Sequence, residues 1–463
     1  MFSTTTGPHS KGAGTTGGNT MKRRSVLLGG AALALTGLTS VGRGPAQAAD
    51  TTAGRLSIWL GYGETAPAFK AALPAFKALY PNVEVELLSF DLHEYEAKLS
   101  VAVPTGNGPD ILTLHDYIFP HYYDGDALDD VPADLAKVVD DPKIIDPVFK
   151  DVCSRDGKPW GVPWWKGSRA FFYNVDHFKE AGLDGPPKTL KEMWDYSEKL
   201  TKKAPDGTIT RAGITLRLTE GSGGLQKFSD HYYASTGHQI LEAGPKPGTV
   251  RVTLKDKDNL EAGTKLLLDY VAHLHGPKKV DDWALKHDTQ GFANGLASML
   301  FREDWAVAFI RKNGPDVKFA TAPLPRDKAW GNFHLVEILS VNKTSKMKKP
   351  AWDLIRLLQE QQYLDIVLQQ SGWVPLRMDR DFSAFLSKNP EYKAFLEPTP
   401  GYQAYLEPPN VAYVEATART GDVILAGFRD ASLLDNPEGA KAVLFKAYDT
   451  AANILKRSGI FAP

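Results

Sequence analysis

Between Leu56 and Leu114 the chain alternates between short apolar runs and amphipathic ones, and that alternation restricts its fold more than any other feature. Leu56-Ser57-Ile58-Trp59-Leu60 reads as a buried strand stopping at Gly61-Tyr62-Gly63-Glu64, after which Phe69, Leu73, Phe76 and Leu79 recur at helical spacing. Tyr80-Pro81-Asn82 ends that helix, and Val83 to Leu88 alternates as a second strand. A helix over Glu94–Val103 stops before Gly106-Asn107-Gly108-Pro109, and Asp110-Ile111-Leu112-Thr113-Leu114 is a third strand. Strands linked this closely through single helices pair in parallel, which predicts an α/β sheet flanked by helices. Ligands of such sheets bind beyond the carboxyl ends of the strands. That rule puts Tyr62, Glu64, Ser89, Phe90, Asp91, His115 and Asp116 on the rim of a site.

At 463 residues the chain exceeds one small core, and two domains are expected. Its 43% apolar and 24% charged residues are those of a globular protein. The formal charge of -1 includes five basic residues ahead of position 49 with no acid among them, so the remainder is mildly acidic. An acidic surface without basic runs is a poor partner for nucleic acid or an anionic membrane. The one cysteine, Cys153, rules out an intramolecular disulfide and reads as a small apolar filler.

Residues 1–48 read as an upstream lead and a cleaved export signal. Lys22-Arg23-Arg24 precedes a Gly/Ala/Leu-rich run too short to span a bilayer, and Pro45-Ala46-Gln47-Ala48 is a small-x-small cleavage site near Ala48. The paired arginines resemble a twin-arginine signal, with Val26 and Leu28 as departures from its pattern. Sec export stays open beside it. A soluble periplasmic protein is the expectation.

The segment from Asp156 through Trp160-Gly161-Val162-Pro163-Trp164-Trp165 to Phe171-Phe172-Tyr173-Asn174 joins a turn to an aromatic extended stretch, with a helix start at Phe178. Together with four other segments it resembles the extracellular solute-binding proteins of bacterial sugar importers, family 1, the maltose-binding-protein-like group. The others are Phe76 to Val85 around Tyr80-Pro81, Gly106-Asn107-Gly108-Pro109-Asp110-Ile111, Pro186 to Met193, and Phe292 to Trp305. Leu190, where Trp is usual, and Asp304 depart from the family pattern.

The resemblance implies a two-lobed periplasmic-binding-protein fold of type II, each lobe a mainly parallel sheet flanked by helices, with the ligand cleft between. Lobe one is expected at 49–168 plus 323–378 and lobe two at 169–322 plus 379–463. Pro323-Leu324-Pro325 and Trp373-Val374-Pro375 would be the second and third crossings. The implied function is capture of a carbohydrate and delivery to the permease of an ABC importer, by a monomer without cofactor or metal.

Sugars offer apolar C–H faces to aromatic rings and hydroxyls to convergent polar groups. Trp164 or Trp165 would be a stacking platform, its neighbour pointing the opposite way along the strand. Trp305, Trp283, Trp373, Tyr62 and Tyr413 are further ring candidates. Glu64, Asp116, Glu303 and Asp304 could accept from hydroxyls, Lys166 and Arg169 could donate, and His334 and Glu337 lie near element ends. For each, packing, capping or surface charge competes with a ligand role.

Enzyme patterns are weak. No glycosidase signature is recognisable around the many acids, although a secreted glycoside-active enzyme and a binder of non-sugar solutes both stay open. Gly221-Ser222-Gly223-Gly224 lacks the nucleophile elbow and the phosphate-loop lysine, and His231 and His273-Leu274-His275 lack zinc-hydrolase spacing.

Overall fold

The computed structural model describes residues 50–216, 222–282, 287–397, 399–408 and 410–463. The expected lead and export signal, Trp283 and Gly221 lie outside the described residues. No helix among the described residues is long and apolar enough to cross a membrane.

The opening alternation folds as its periodicity demands. Strand β1 (Gly54–Leu60) leads into helix α1 (Ala66–Leu79), then β2 (Val83–Ser89), α2 (Leu92–Ala102) and β3 (Ile111–His115). β1 pairs in parallel with β2 on one side and with β3 on the other. Phe69, Ala72 and Phe76 form the buried stripe of α1, three to four residues apart, and pack onto β1.

Strand β4 (Val162–Asn174) is the axis of the molecule. Its first half pairs antiparallel with β7 (Gly331–Val341), which also pairs antiparallel with β3. Its second half pairs antiparallel with β5 (Met299–Glu303) and β6 (Phe319–Ala322). β8 (Val374–Pro375) adds to β4, and β9 (Gln403–Leu406) runs parallel to β7. The result is a nine-stranded mixed sheet, parallel where the helices cross over and antiparallel around β4.

Two large cores lie along this axis. One gathers Leu56, Ile58, Phe69, Phe76, Leu112, Trp164, Trp165 and Ile338. The other gathers Phe171, Met193, Phe228, Leu267, Tyr270, Phe301 and Phe428 beneath helices α3 (Ser222–Thr236), α4 (Lys257–His275), α6 (Val411–Arg429) and α7 (Pro437–Arg457). A smaller third cluster holds Phe172, Phe292, Leu300, Val307 and Phe319. Thus β4 starts in one core and ends between two others, because its pleat sends Phe171 and Phe172 to opposite faces. Each of these fully buried rings contributes about 1.5–3 kcal/mol of apolar burial.

Candidate functional site

A cleft opens along one face of β4. Gly167 and Arg169 line it, whereas Lys166 and Ser168, one residue out of phase, line a separate cavity behind the strand. The cleft has two joined compartments, of about 390 and 380 Å3, that share Tyr62, Arg169, Gln226, Phe333 and Leu335. Tyr117, Ile240, Tyr405, Glu407 and Tyr413 complete the first; Glu64, Arg302, Glu303, Trp305 and Trp373 complete the second. Tyr62 packs on one large core and Tyr413 belongs to the other, so the walls come from both.

Aromatic rings build one wall in layers. Trp165 is fully buried, with Trp373 stacked on it at 4.7 Å and 14° from parallel. Tyr62 sets its edge against both, at 5.3 and 5.4 Å. Trp373 Nε1 donates to Glu64 Oε1 at 3.2 Å, which fixes the ring and aims the carboxylate. Gly167 is required beneath: a Cβ there would stand 2.6 Å from Trp373 Cζ3. Gly372, at φ +83°, turns the chain where any Cβ would meet the Trp305 backbone.

Ion pairs build the floor. The buried Arg169 guanidinium donates to Asp230 at 2.8 Å and Glu303 at 3.1 Å, and lies 4.7 Å over the Phe333 ring. Burial opposes its charge, but Asp230 and Glu303 raise its pKa above the ordinary value. The Tyr405 hydroxyl donates to Asp230 at 3.0 Å. Arg302 reaches Glu303 at 3.1 Å and covers the Trp305 ring at 4.9 Å. Burial, with Asp116 adding, pushes the Glu407 carboxyl up to about 8, so near neutral pH it carries a proton it can donate.

Of the residues singled out from sequence, the structure brings Tyr62, Glu64, Arg169, Glu303, Trp305, Trp373 and Tyr413 to the cleft wall. Trp165 supports that wall from behind. Trp164 points the other way, into the first core, with Phe69 edge-on at 5.3 Å. Asp304 is buried and caps the helix α5 (Trp305–Asn313) through the Trp305 N–H at 3.1 Å, so it is turned away from the wall that its neighbours line. His115 and Glu337 form a buried pair at 2.9 Å. Burial disfavours the imidazolium there, yet Glu337 holds its pKa above the ordinary value. Asp116 is buried beside them, accepts from the Val336 N–H at 3.2 Å, and is pushed up to about 7 by burial. Lys166 and His334 line the rear cavity instead.

Sequence reasoning passed over Phe333, Tyr405, Glu407, Gln226 and Asp230. Phe333 and Leu335 alternate with His334 along β7, a visible period of two, but nothing local says which face meets a cleft. Tyr405 arrives through pairing of β9 with β7, some seventy residues apart in sequence. Among the described residues no group of three or more His, Cys, Asp and Glu is placed to hold a metal.

Comparison with known proteins agrees with this architecture. Residues 71–394 match the family of bacterial extracellular solute-binding proteins. A binding protein of Brucella abortus is 24% identical over 349 residues, covering 72% of this chain and 78% of the relative. A diacetylchitobiose-binding protein of Streptomyces coelicolor is 23% identical over 372 residues, covering 77% and 82%. The solved structure of the sugar-binding protein MalE from Xanthomonas citri superposes with a TM-score of 0.70 at 20% identity, covering 88% of this chain and 98% of that one.

Proposed function

The chain belongs to the bacterial extracellular solute-binding protein family, and within it we propose that this member captures a carbohydrate, as a mono- or oligosaccharide, and delivers it to the permease of an ABC importer. The observation that carries the proposal is that the rings of Trp373, Tyr62 and Trp305 line one compartment together with Glu64, Gln226 and Glu303. Flat rings accept the C–H face of a pyranose, while carboxylates and amides take its hydroxyls. The relatives named for diacetylchitobiose and for sugars support the same ligand class.

The two walls belong to lobes that close on the ligand, one built around 49–168 plus 323–378 and one around 169–322 plus 379–463. Bound sugar stabilises the closed arrangement by touching both. The protein acts in the periplasm as a monomer, exported through the basic and apolar segment before Ala48, and leaves its ligand chemically unchanged.

Isothermal titration with a panel of mono-, di- and trisaccharides, followed by product analysis of the same mixtures, tests this. Saturable binding without turnover is expected. Binding of polyamines or peptides with no response to any sugar would overturn the ligand class, and sugar cleavage would overturn the importer role.

A further inference from the structure

The cavity behind β4 is a second concave space, of about 380 Å3, and its lining is chemically unlike the cleft's. It is walled by Phe149, Leu376 and Phe382 on the apolar side, and by Lys166, Asn332, His334 and Arg380 on the polar side. Three of these polar groups have unmet hydrogen-bonding capacity. His334 Nδ1 and Asn332 Oδ1, on side chains at least nine-tenths buried, have no partner, and neither does Arg380 Nε. The Lys166 ammonium has no carboxylate within ion-pair distance among the described residues and lies 5.5 Å over the Phe149 ring.

Other charges in the lining are already engaged. Arg377 is held by Asp379 at 2.6 Å, and Glu397 by Lys393 at 3.5 Å. Asp146 accepts the Val148 N–H at 3.0 Å as a helix cap. Neither Lys166 nor Arg380 makes an ion pair among the described residues, although Asp304 and Asp146 act on Lys166, and Asp379 on Arg380, from further off. A half-buried cation with no direct ion pair leaves a place for a ligand that supplies the charge. The unpaired oxygen of Asn332, in the same lining, asks in addition for a hydroxyl.

We propose that the cavity behind β4 binds a small hydroxylated oxyanion, a protonated phosphate or a short hydroxycarboxylate, between Lys166, Arg380 and His334, with Asn332 accepting from its hydroxyl. The site is separate from the cleft, because adjacent residues of one strand line the two.

The test is isothermal titration of the full chain with sodium phosphate and with sodium glycolate, in sodium chloride of matched ionic strength. Saturable binding of either anion is expected, at least tenfold weaker in Lys166→Met and in the rim variant Arg380→Gln, and unchanged in the cleft variant Trp305→Ala. Phosphate binding alone would mark an inorganic ligand; glycolate binding would mark an organic acid. Absence of saturable binding by both, or affinity unchanged from the parent chain in either rear-cavity variant, overturns the proposal. Because the readout involves no sugar, it stands or falls independently of carbohydrate capture.

Discussion

Trp165 and Trp373 lie face to face, 4.7 Å apart, with Trp165 shut off from solvent and Trp373 bordering the cleft. The crossing-strand tryptophan is thus the backing of a platform whose working surface comes from a residue two hundred positions later. Trp373→Ala is expected to weaken sugar binding by roughly 1.5–3 kcal/mol, about 10- to 150-fold. Trp164→Ala, emptying a core position remote from the ligand, should cost about 3–5 kcal/mol of stability. Fluorescence titration alongside denaturant unfolding separates the two effects.

Gly167 tests the same platform from below. In Gly167→Ala the new methyl would stand where Trp373 Cζ3 now rests, at 2.6 Å, so the ring must tilt off Trp165 and away from Glu64. Overpacking of this kind costs about 1–3 kcal/mol. A crystal structure of the variant showing an unmoved Trp373 would contradict the assignment.

Arg169 holds Asp230 and Glu303 together under the cleft. Arg169→Met leaves the Asp230 carboxylate buried without its cation, and a loss of about 3–5 kcal/mol in unfolding free energy is expected. Pairing it with Asp230→Asn should recover part of that loss, as a double-mutant cycle would measure.

Glu407 makes stability depend on pH. Its folded pKa is about 8, above the ordinary 4.5, so between those values the folded chain binds more protons than the unfolded one. The stabilisation it contributes is therefore fully present below about pH 4.5 and is lost as pH rises through about 8. Asp116, at about 7, acts in the same sense over a narrower window. Melting temperatures of Glu407→Gln should fall less steeply from pH 5 to 9 than those of the parent chain.

Cys153 is fully buried and its thiol is pushed up to about 12 by burial. Iodoacetamide should label it only after unfolding, and mass spectrometry of native against denatured samples checks this.

Much of the fold was legible because residues 54–115 obey local rules: period two in Val83–Leu88, helical spacing from Phe69 to Leu79, glycine and proline at the breaks. The pleat of β4 likewise announces that Trp164 and Trp165 diverge. Which of them faces the cleft was not legible, since that depends on antiparallel pairing with β7 and on an irregularity in register between Glu337 and Ile338. Tyr405 escaped for the same reason: its position comes from a strand pairing over a long sequence separation. Asp304 and Glu303 look equivalent as letters, but a helix start spends one on a cap and leaves the other against Arg169 and Arg302.

The alternation of Lys166 and Ser168 with Gly167 and Arg169 makes β4 a shared wall between two rooms. A side chain substituted at Lys166 or Ser168 therefore reshapes the rear room without entering the front one, and one at Gly167 or Arg169 does the reverse.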